Sequence, residues 1–234
     1  MKLVKKYNPR VWYGFGNRYS SLESIRRGES KISCAGEDLI LGQLILAEQT
    51  HSIDIAILTQ SMSGAGFTKG VEEIGHVDGF VSDIEGLFLV IKSADCTPIL
   101  CYDKTKNVVG GVHSGRVGTR NSIIKALINN MVTNFRCRVE DIVVLVGPAI
   151  GGENYEVDEE CFLDFVVSTQ LGQEYRHIDM KQVIKRDLVK IGILEKNIEI
   201  DNSCTYADSN YFSYRRDKTA ERQLAIIGIK DGNI

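Results

Sequence analysis

Three side chains of this 234-residue sequence, His51, Cys96 and His113, are of the types that bind a transition metal or act as nucleophile and base. Imidazole nitrogen and thiolate sulfur are common zinc ligands, and three protein ligands leave a fourth position open for water or substrate, as in catalytic zinc sites. The residues lack the short spacing of a structural zinc site. The metal hypothesis therefore depends on the fold bringing them together.

The same residues support a different chemistry. Cys96 could act as a nucleophile, with His113 or His51 accepting its proton. The sequence leaves both interpretations open, because both use the same side chains. A multicopper site is disfavoured, since such sites need many imidazoles, often in His-x-His pairs, and the four histidines (His51, His76, His113 and His177) form no such pair.

The segment from Gly86 to Asn130 carries two of these residues at the ends of predicted elements. Its hydrophobic pattern predicts three strands and then a helix, at Leu87–Ile91, Pro98–Tyr102, Val108–Val112 and Thr119–Phe135. Asp95 and Cys96 fall in the turn between the first two strands, and His113 ends a neighbouring strand of the same meander. Because adjacent strand ends converge, we expect Cys96 and His113 to be close, with Asp95 orienting a ligand or acting as general base.

The rest of the chain predicts an α+β fold. Alternation of Ile53, Ile55 and Ile57 predicts a strand near His51, and Ser33–Glu48 has apolar residues at helical spacing but is ambiguous. Other strands are predicted at Trp12–Gly16, Ile142–Val146, Asn197–Ile200 and Gln223–Ile229, and other helices at Asp158–Thr169 and Asp179–Ile191. Strands outnumber helices and several are joined by turns, which favours α+β over a doubly wound parallel sheet. Without repeats or linkers, we expect one domain over residues 1–234.

Composition narrows the function classes. Hydrophobic residues make up 43%, and the net charge is −3, so no strong basic field indicates nucleic acid or an anionic membrane as a partner. The apolar runs are too short to span a bilayer, and the first residues lack the apolar core of a signal peptide. The six cysteines show no CxxC or stapled-scaffold spacing, so most are interpreted as buried thiols. We expect a monomeric cytoplasmic protein.

A glycine-containing loop before the predicted helix is a candidate anion site. Gly115–Arg120 (GRVGTR) holds backbone N–H groups at the helix N-terminus, and with Arg116 and Arg120 it could bind phosphate. The alternative is a helix cap with two solvated arginines. Arg215, Arg216 and Arg222 either line the same cleft or form surface pairs, and the surface interpretation is the default.

Six segments, all in the expected order, resemble motifs of one family. They are Gln49–His51 (QTH), Ser93–Pro98 (SADCTP), His113–Thr119 (HSGRVGT), Gly147–Gly151 with Tyr155–Val157 (GPAIG and YEV), Cys204–Tyr206 (CTY) and Phe212–Asp217 (FSYRRD). Together they resemble the YfiH-type laccase-domain family, also described as polyphenol oxidoreductases and as purine nucleoside phosphorylases.

The resemblance implies an α+β fold of β-sheet layers covered by helices, and a zinc ion held by His51, Cys96 and His113, with copper the less suitable metal. It also implies phosphorolysis of purine nucleosides, with adenosine deamination and methylthioadenosine cleavage as associated activities. The small-molecule partners are then nucleosides and phosphate. We expect the substrate or phosphate contacts to come from Gln49, Ser114, Arg116 and Arg215.

The sequence departs from the family pattern at the loop expected to hold phosphate. Arg116 stands where the family has Trp, and Val117 stands where it has Arg. Since Val cannot donate charge-assisted hydrogen bonds, Arg116 would have to take over that role. Two other functions use the same residues: a thiol amidohydrolase with Cys96 as nucleophile, and a non-enzymatic binding module stabilised by zinc.

Overall fold

The computed structural model describes residues 8–19, 31–34, 37–172 and 174–231. Within these ranges the strands are β1 Val11–Phe15, β2 Lys31–Cys34, β3 Glu37–Ile40, β4 Leu44–Leu46, β5 Ile55–Ile57, β6 Gly79–Ser82, β7 Phe88–Ser93, β8 Thr97–Asp103, β9 Val109–Ser114, β10 Ile142–Val146, β11 Ile198–Ile200 and β12 Gln223–Ile229. The α-helices in the same ranges are α1 Arg116–Arg120, α2 Ile123–Phe135, α3 Glu159–Thr169, α4 Met180–Ile191 and α5 Tyr214–Asp217.

Two mixed sheets form the framework. The four-stranded sheet has the order β1-β12-β7-β4, and the six-stranded sheet has the order β11-β10-β8-β9-β6-β5. Most neighbouring strands are antiparallel, but β4 pairs parallel with β7, β5 with β6, and β11 with β10. Strands β2 and β3 form a separate hairpin. The predicted α+β class is confirmed.

The sheets pack face to face through a shared hydrophobic core. Side chains of β1, β7 and β12 meet those of β8, β9 and β10, and the rings of Tyr13 and Tyr102 stack across the layers with centroids 6.0 Å apart. Helices α2, α3 and α4 cover the other face of the six-stranded sheet. The apolar stripe of α2, which the sequence predicted, is buried against this face at Ile123, Ile124, Leu127, Ile128 and Met131. The predicted sheet layers covered by helices are therefore present.

The helix predicted at Thr119–Phe135 is interrupted. Helix α1 ends at Arg120, and Ser122, with φ of 53°, adopts the left-handed conformation before α2 begins. The Ser122 hydroxyl donates a hydrogen bond to Asp187 of α4 at 2.9 Å. A contact with another helix thus accompanies the break. The apolar periodicity of the segment does not predict this break.

The structure decides one ambiguous segment and corrects one prediction. The described residues of Ser33–Glu48 form strands and a short 3-10 turn despite the helical spacing of the apolar residues, because Leu44–Leu46 pairs with β7 and is buried on both faces. The three strands around Cys96 are not one meander. Strand β7 lies in the four-stranded sheet and β8 in the other, so the turn at Asp95 and Cys96 carries the chain between layers.

No helix in the described ranges is both long and apolar enough to cross a membrane. The expectation of one domain over residues 1–234 extends into segments outside those ranges and stays a prediction.

Candidate metal centre

The fold brings His51, Cys96 and His113 together. One potential ligand atom from each residue lies within 4.8 Å of the others, and the Cys96 Sγ is 3.8 Å from the His51 Nε2. Cys96 directly precedes β8, and His113 lies in β9, where it is paired with Pro98 of β8. The expected convergence of these two strand ends is confirmed, and His51 joins them from the segment before β5.

A buried aspartate, Asp78, connects both histidines. Its Oδ1 is 2.8 Å from the Nδ1 of His113, and its Oδ2 accepts hydrogen bonds from the backbone N–H groups of Thr50 and Ser52, at 3.0 and 2.6 Å. These N–H groups flank His51, whose φ of 62° is left-handed. Asp78 therefore fixes the His51 turn and, by accepting from Nδ1 of His113, leaves the Nε2 of that ring to bind a metal.

The electrostatics of the cluster favour a thiolate at Cys96 and a carboxylate at Asp78. Burial raises the pKa of Asp78, but hydrogen bonds from His113 and the Ser52 backbone lower it to about 2. Burial also raises the pKa of the Cys96 thiol, but the nearby charge of His113 and hydrogen bonds to both histidines bring it well below its usual range. Thiolate is the form that binds zinc and also the form that attacks as a nucleophile. The thiolate form of Cys96 is therefore compatible with both metal binding and nucleophilic attack.

Gly115 keeps the space beside the cluster open. A Cβ at this position would lie 2.8 Å from Cδ2 of His51 and 3.1 Å from Sγ of Cys96, closer than side chains normally approach. Its φ of −79° is open to any residue, so the requirement for glycine comes from space and not from the backbone. A thiolate, two imidazoles and a free space between them fit a metal ion with nitrogen and sulfur ligands.

Asp95 organises the turn that carries Cys96. Its Oδ1 accepts a hydrogen bond from the Thr205 hydroxyl at 2.8 Å, and its Oδ2 accepts one from the Arg215 backbone N–H at 2.6 Å. Its carbonyl also accepts from the Ile150 N–H at 2.9 Å. Both carboxylate oxygens are thus engaged, which favours the orienting role. A role as general base would require one of these bonds to break, and it stays a prediction.

The cluster opens into a cavity of about 800 Å³. Ligand sites in proteins commonly measure about 300–1,000 Å³. The cavity is lined by the three cluster residues and by Gln49, Lys92, Ser93, Ala94, Asp95, Ile150, Tyr155, Met180, Tyr214, Arg215, Lys218 and Arg222. Its wall therefore combines aromatic and apolar surface with four cationic side chains.

The predicted substrate contacts divide between two places. Gln49 lines this cavity, and its side-chain amide bonds the Lys92 backbone in both directions, at 2.8 and 2.9 Å, so it ties the His51 segment to β7. Arg215 also lines it, with its guanidinium 5.2 Å from the Tyr155 ring centroid and donating to the Glu156 carbonyl.

Arg116 and Ser114 lie elsewhere. Arg116 lines an adjacent cavity of about 490 Å³, which shares Tyr155 and Arg215 with the first. The Ser114 hydroxyl is fully buried and pairs with the Thr119 hydroxyl at 2.8 Å. Ser114 thus supports the loop, and its predicted contact with phosphate would require this bond to break.

Sequence reasoning missed Asp78, Ser93, Tyr155, Tyr214 and Lys218 as site residues. Asp78 stands before Gly79, a pattern that reads as a turn leading into a strand, and nothing local indicates that its side chain reaches His113. The other four lie within or beside the quoted motifs. Their place within or beside these motifs was the only sequence feature that could have identified these four residues.

Replacement of Asp78 by Asn should lower zinc affinity about 10–100-fold. An amide has one acceptor and one donor end, so it cannot both accept from Thr50 and Ser52 and leave Nε2 of His113 free. Zinc affinity measured by chelator competition checks this, with the exposed Asp54→Asn as the control. An unchanged affinity in Asp78→Asn would contradict the role assigned to this carboxylate.

Gly115→Ala should reduce zinc affinity while the protein stays folded, because the added methyl group enters the space between His51 and Cys96. Gly118→Ala is the matched control, since a Cβ there meets no atom closer than 3.5 Å. Metal titration and thermal unfolding of both variants provide the comparison. Equal affinities in the two alanine variants would show that the space beside Gly115 does not hold the ion.

Comparison with known proteins agrees with the motifs. The family model described as multi-copper polyphenol oxidoreductase laccase matches residues 28–230. A purine nucleoside phosphorylase of Campylobacter jejuni is 27% identical over an alignment of 239 positions, which covers 99% of this chain and 96% of that protein. One from Clostridium acetobutylicum is 35% identical over 161 residues, 67% of this chain and 68% of that protein.

Solved structures share the fold. The crystal structure of YlmD from Geobacillus stearothermophilus superposes with a TM-score of 0.83 at 25% identity, covering 97% of this chain and 94% of that one. The hypothetical protein YfiH from Bacillus licheniformis gives 0.79 at 26% identity, covering 94% and 93%. Because the family match spans most of the sequence, this chain belongs to the YfiH-type family of multi-copper polyphenol oxidoreductase laccases.

Proposed function

We propose that this protein is a zinc-dependent purine nucleoside phosphorylase. The observation that carries the proposal is the three-ligand cluster of His51, Cys96 and His113 opening into a cavity of about 800 Å³ with a cationic wall. Relatives that match nearly the whole chain are named purine nucleoside phosphorylases. A cluster with a fourth position facing a ligand cavity suits catalysis better than a structural zinc, whose four ligands all come from protein.

In this reaction an oxygen of inorganic phosphate forms a bond to C1′ of the ribose. The bond from C1′ to the purine nitrogen breaks, and the base leaves with the electron pair and takes up a proton. The products are ribose 1-phosphate and the free base. The cavity must therefore accept an aromatic base, a sugar and an anion at the same time.

The cavity wall has one set of residues suited to the base and another suited to the anion. Tyr155, Ile150 and Met180 provide aromatic and apolar contact for a base, and Arg215, Lys218 and Arg222 provide positive charge for an anion. A zinc ion held by the cluster would supply Lewis acidity or lower the pKa of a bound water. Asp78 would hold the ligand imidazoles in place, and Asp95 would hold the turn that carries Cys96.

The same site is proposed to accept methylthioadenosine as a phosphorolysis substrate and to deaminate adenosine. In deamination, water adds at the carbon that bears the amino group, and ammonia leaves. Five thiols whose side chains the structure describes, Cys96, Cys101, Cys137, Cys161 and Cys204, are free. Free thiols fit a reducing compartment, which supports a cytoplasmic location.

Two other uses of the cluster make different predictions. A thiol amidohydrolase would lose activity on alkylation of Cys96 in metal-free protein, and a structural zinc module would lose stability on chelation without having any turnover to lose. A thiolate and two imidazoles are also a known copper donor set. Zinc is proposed because the described residues provide one such cluster, whereas multicopper chemistry needs several metal ions.

Cys96→Ala should remove zinc and phosphorolysis together, with base release from inosine falling about 1,000-fold or more, as when an essential catalytic group is lost. Cys161→Ala is the control, since this partly exposed thiol lies outside the cavity of the cluster. The measurements are metal content and phosphate-dependent release of hypoxanthine. A Cys96→Ala protein with full phosphorolysis would refute the mechanism, and copper in place of zinc would refute the choice of metal.

A further inference from the structure

The positive charge of the main cavity exceeds the negative charge of its wall. Lys92, Arg215, Lys218 and Arg222 line it, and Asp95 is the carboxylate among the lining residues of the described chain. Both oxygens of Asp95 already accept hydrogen bonds from Thr205 and the Arg215 backbone. Lys92 is neutralised by Glu73, with the Nζ 2.9 Å from Oε2. The uncompensated positive charge of the cavity wall therefore comes from Arg215, Lys218 and Arg222.

Two of these cations, Lys218 and Arg222, lie together at the ring of Tyr214, whereas Arg215 lies at the ring of Tyr155. The Lys218 Nζ lies 5.2 Å and the Arg222 Cζ 5.9 Å from the centroid of the Tyr214 ring. Neither forms an ion pair with a carboxylate of the described residues. One nitrogen of Arg222 donates to the carbonyls of Thr219 and Glu221, which fixes the guanidinium and leaves its other N–H groups for a ligand.

A buried hydroxyl lines the same cavity as these cations. Ser93 is 2% exposed, it lines the cavity, and its Oγ makes no hydrogen bond to any described residue. Ser93 pairs with Gln223 across β7 and β12, so the neighbouring Arg222 lies at the same end of the sheet. A buried hydroxyl without a partner is unfavourable unless a ligand or water supplies one. Ser93 thus offers an unpaired hydroxyl to a ligand in the cavity that these cations line.

The backbone at Lys218 is held in a conformation that favours glycine. Lys218 caps the end of α5 with a φ of 53° in the left-handed region. This conformation costs free energy for any residue with a Cβ. Arg136 at the end of α2 has the same conformation, so it is a feature of helix ends, and it means that Lys218 can be replaced by glycine without destabilising the backbone.

We propose that Ser93, Lys218 and Arg222 form the subsite for the phosphate that takes part in the reaction. This inference rests on the proposed phosphorylase function and specifies where its anion binds. Two cations and a hydroxyl match the charge and the acceptors of a phosphate dianion. The assignment differs from the loop of Ser114 and Arg116, because Ser114 is engaged by Thr119 and Arg116 lines the adjacent cavity.

Lys218→Gly is the most direct test, because it should raise the thermal stability of the protein while it lowers the affinity for phosphate. The variant should unfold at a temperature about 2–4 °C higher, because glycine relieves the left-handed backbone. Its dissociation constant for inorganic phosphate should rise about 10-fold, because a charge-assisted contact is lost. Arg136→Gly is the matched control. Arg136 caps α2 with a φ of 56° outside this cavity, so only the unfolding temperature should rise.

Phosphate binding is measured by calorimetry on the full-length, zinc-loaded proteins, and the zinc content of each variant is determined. Ser93→Ala and Arg222→Gln should also weaken phosphate binding, whereas Arg116→Gln should not. In turnover assays, the KM for phosphate should rise in the three subsite variants, while the KM for inosine stays unchanged. Unchanged phosphate affinity in Lys218→Gly and Arg222→Gln, or a loss confined to Arg116→Gln, would overturn the subsite.

Two further outcomes separate this inference from the function on which it rests. Phosphate binding that depends on Lys218, without any release of base from a purine nucleoside, would refute the phosphorylase and keep the subsite. Release of base with an unchanged KM for phosphate in all three variants would refute the subsite alone. Lower affinity of Lys218→Gly for inosine 5′-monophosphate but not for inorganic phosphate would overturn the assignment to free phosphate in favour of a phosphate ester.

Discussion

The site depends on the carboxylate of Asp78. One oxygen meets the Nδ1 of His113, and the other accepts from the backbone on both sides of His51. A fully buried carboxylate is costly unless its charge is compensated, and here the compensating groups are the segments that present two of the three ligands. The need to satisfy one buried charge therefore fixes two imidazoles relative to each other. A metal ion would meet ligands that are already ordered before it binds.

The third ligand is fixed by the layering of the fold. The chain leaves the four-stranded sheet at Ser93 and enters the six-stranded sheet at Thr97, so Cys96 lies where the layers separate. Asp95 holds this crossing by binding Thr205 and the start of α5, which carries Tyr214 and ends beside Lys218. One turn thus connects the metal ligand to the cationic wall. The candidate ligand cluster and the proposed anion subsite line the same cavity.

The approach of Cys96 to His113 and most elements could be predicted from local sequence patterns, whereas only the family resemblance indicated that His51 joins them. The alternation and turns around β8 and β9 placed His113 beside Cys96, and Asp179 caps α4 as its residue type indicates. What could not be predicted depends on distant partners. The burial of Leu44–Leu46 on both faces of the four-stranded sheet overrides helical spacing. Ser122 interrupts the predicted helix just before its apolar stripe, and Asp78, which precedes β6, reaches a histidine on β9. The family resemblance supplied the proposed function and the proposed metal, which residue spacing alone left open.

The central claim is that His51, Cys96 and His113 bind one zinc ion with an open fourth position. Zinc-edge X-ray absorption of the purified protein tests it directly. We expect one sulfur scatterer at about 2.3 Å, two imidazole nitrogens at about 2.0–2.1 Å, and one further light atom that changes when phosphate or nucleoside is added. One zinc per chain without a sulfur neighbour, or with a fourth protein ligand that no substrate displaces, would contradict the account.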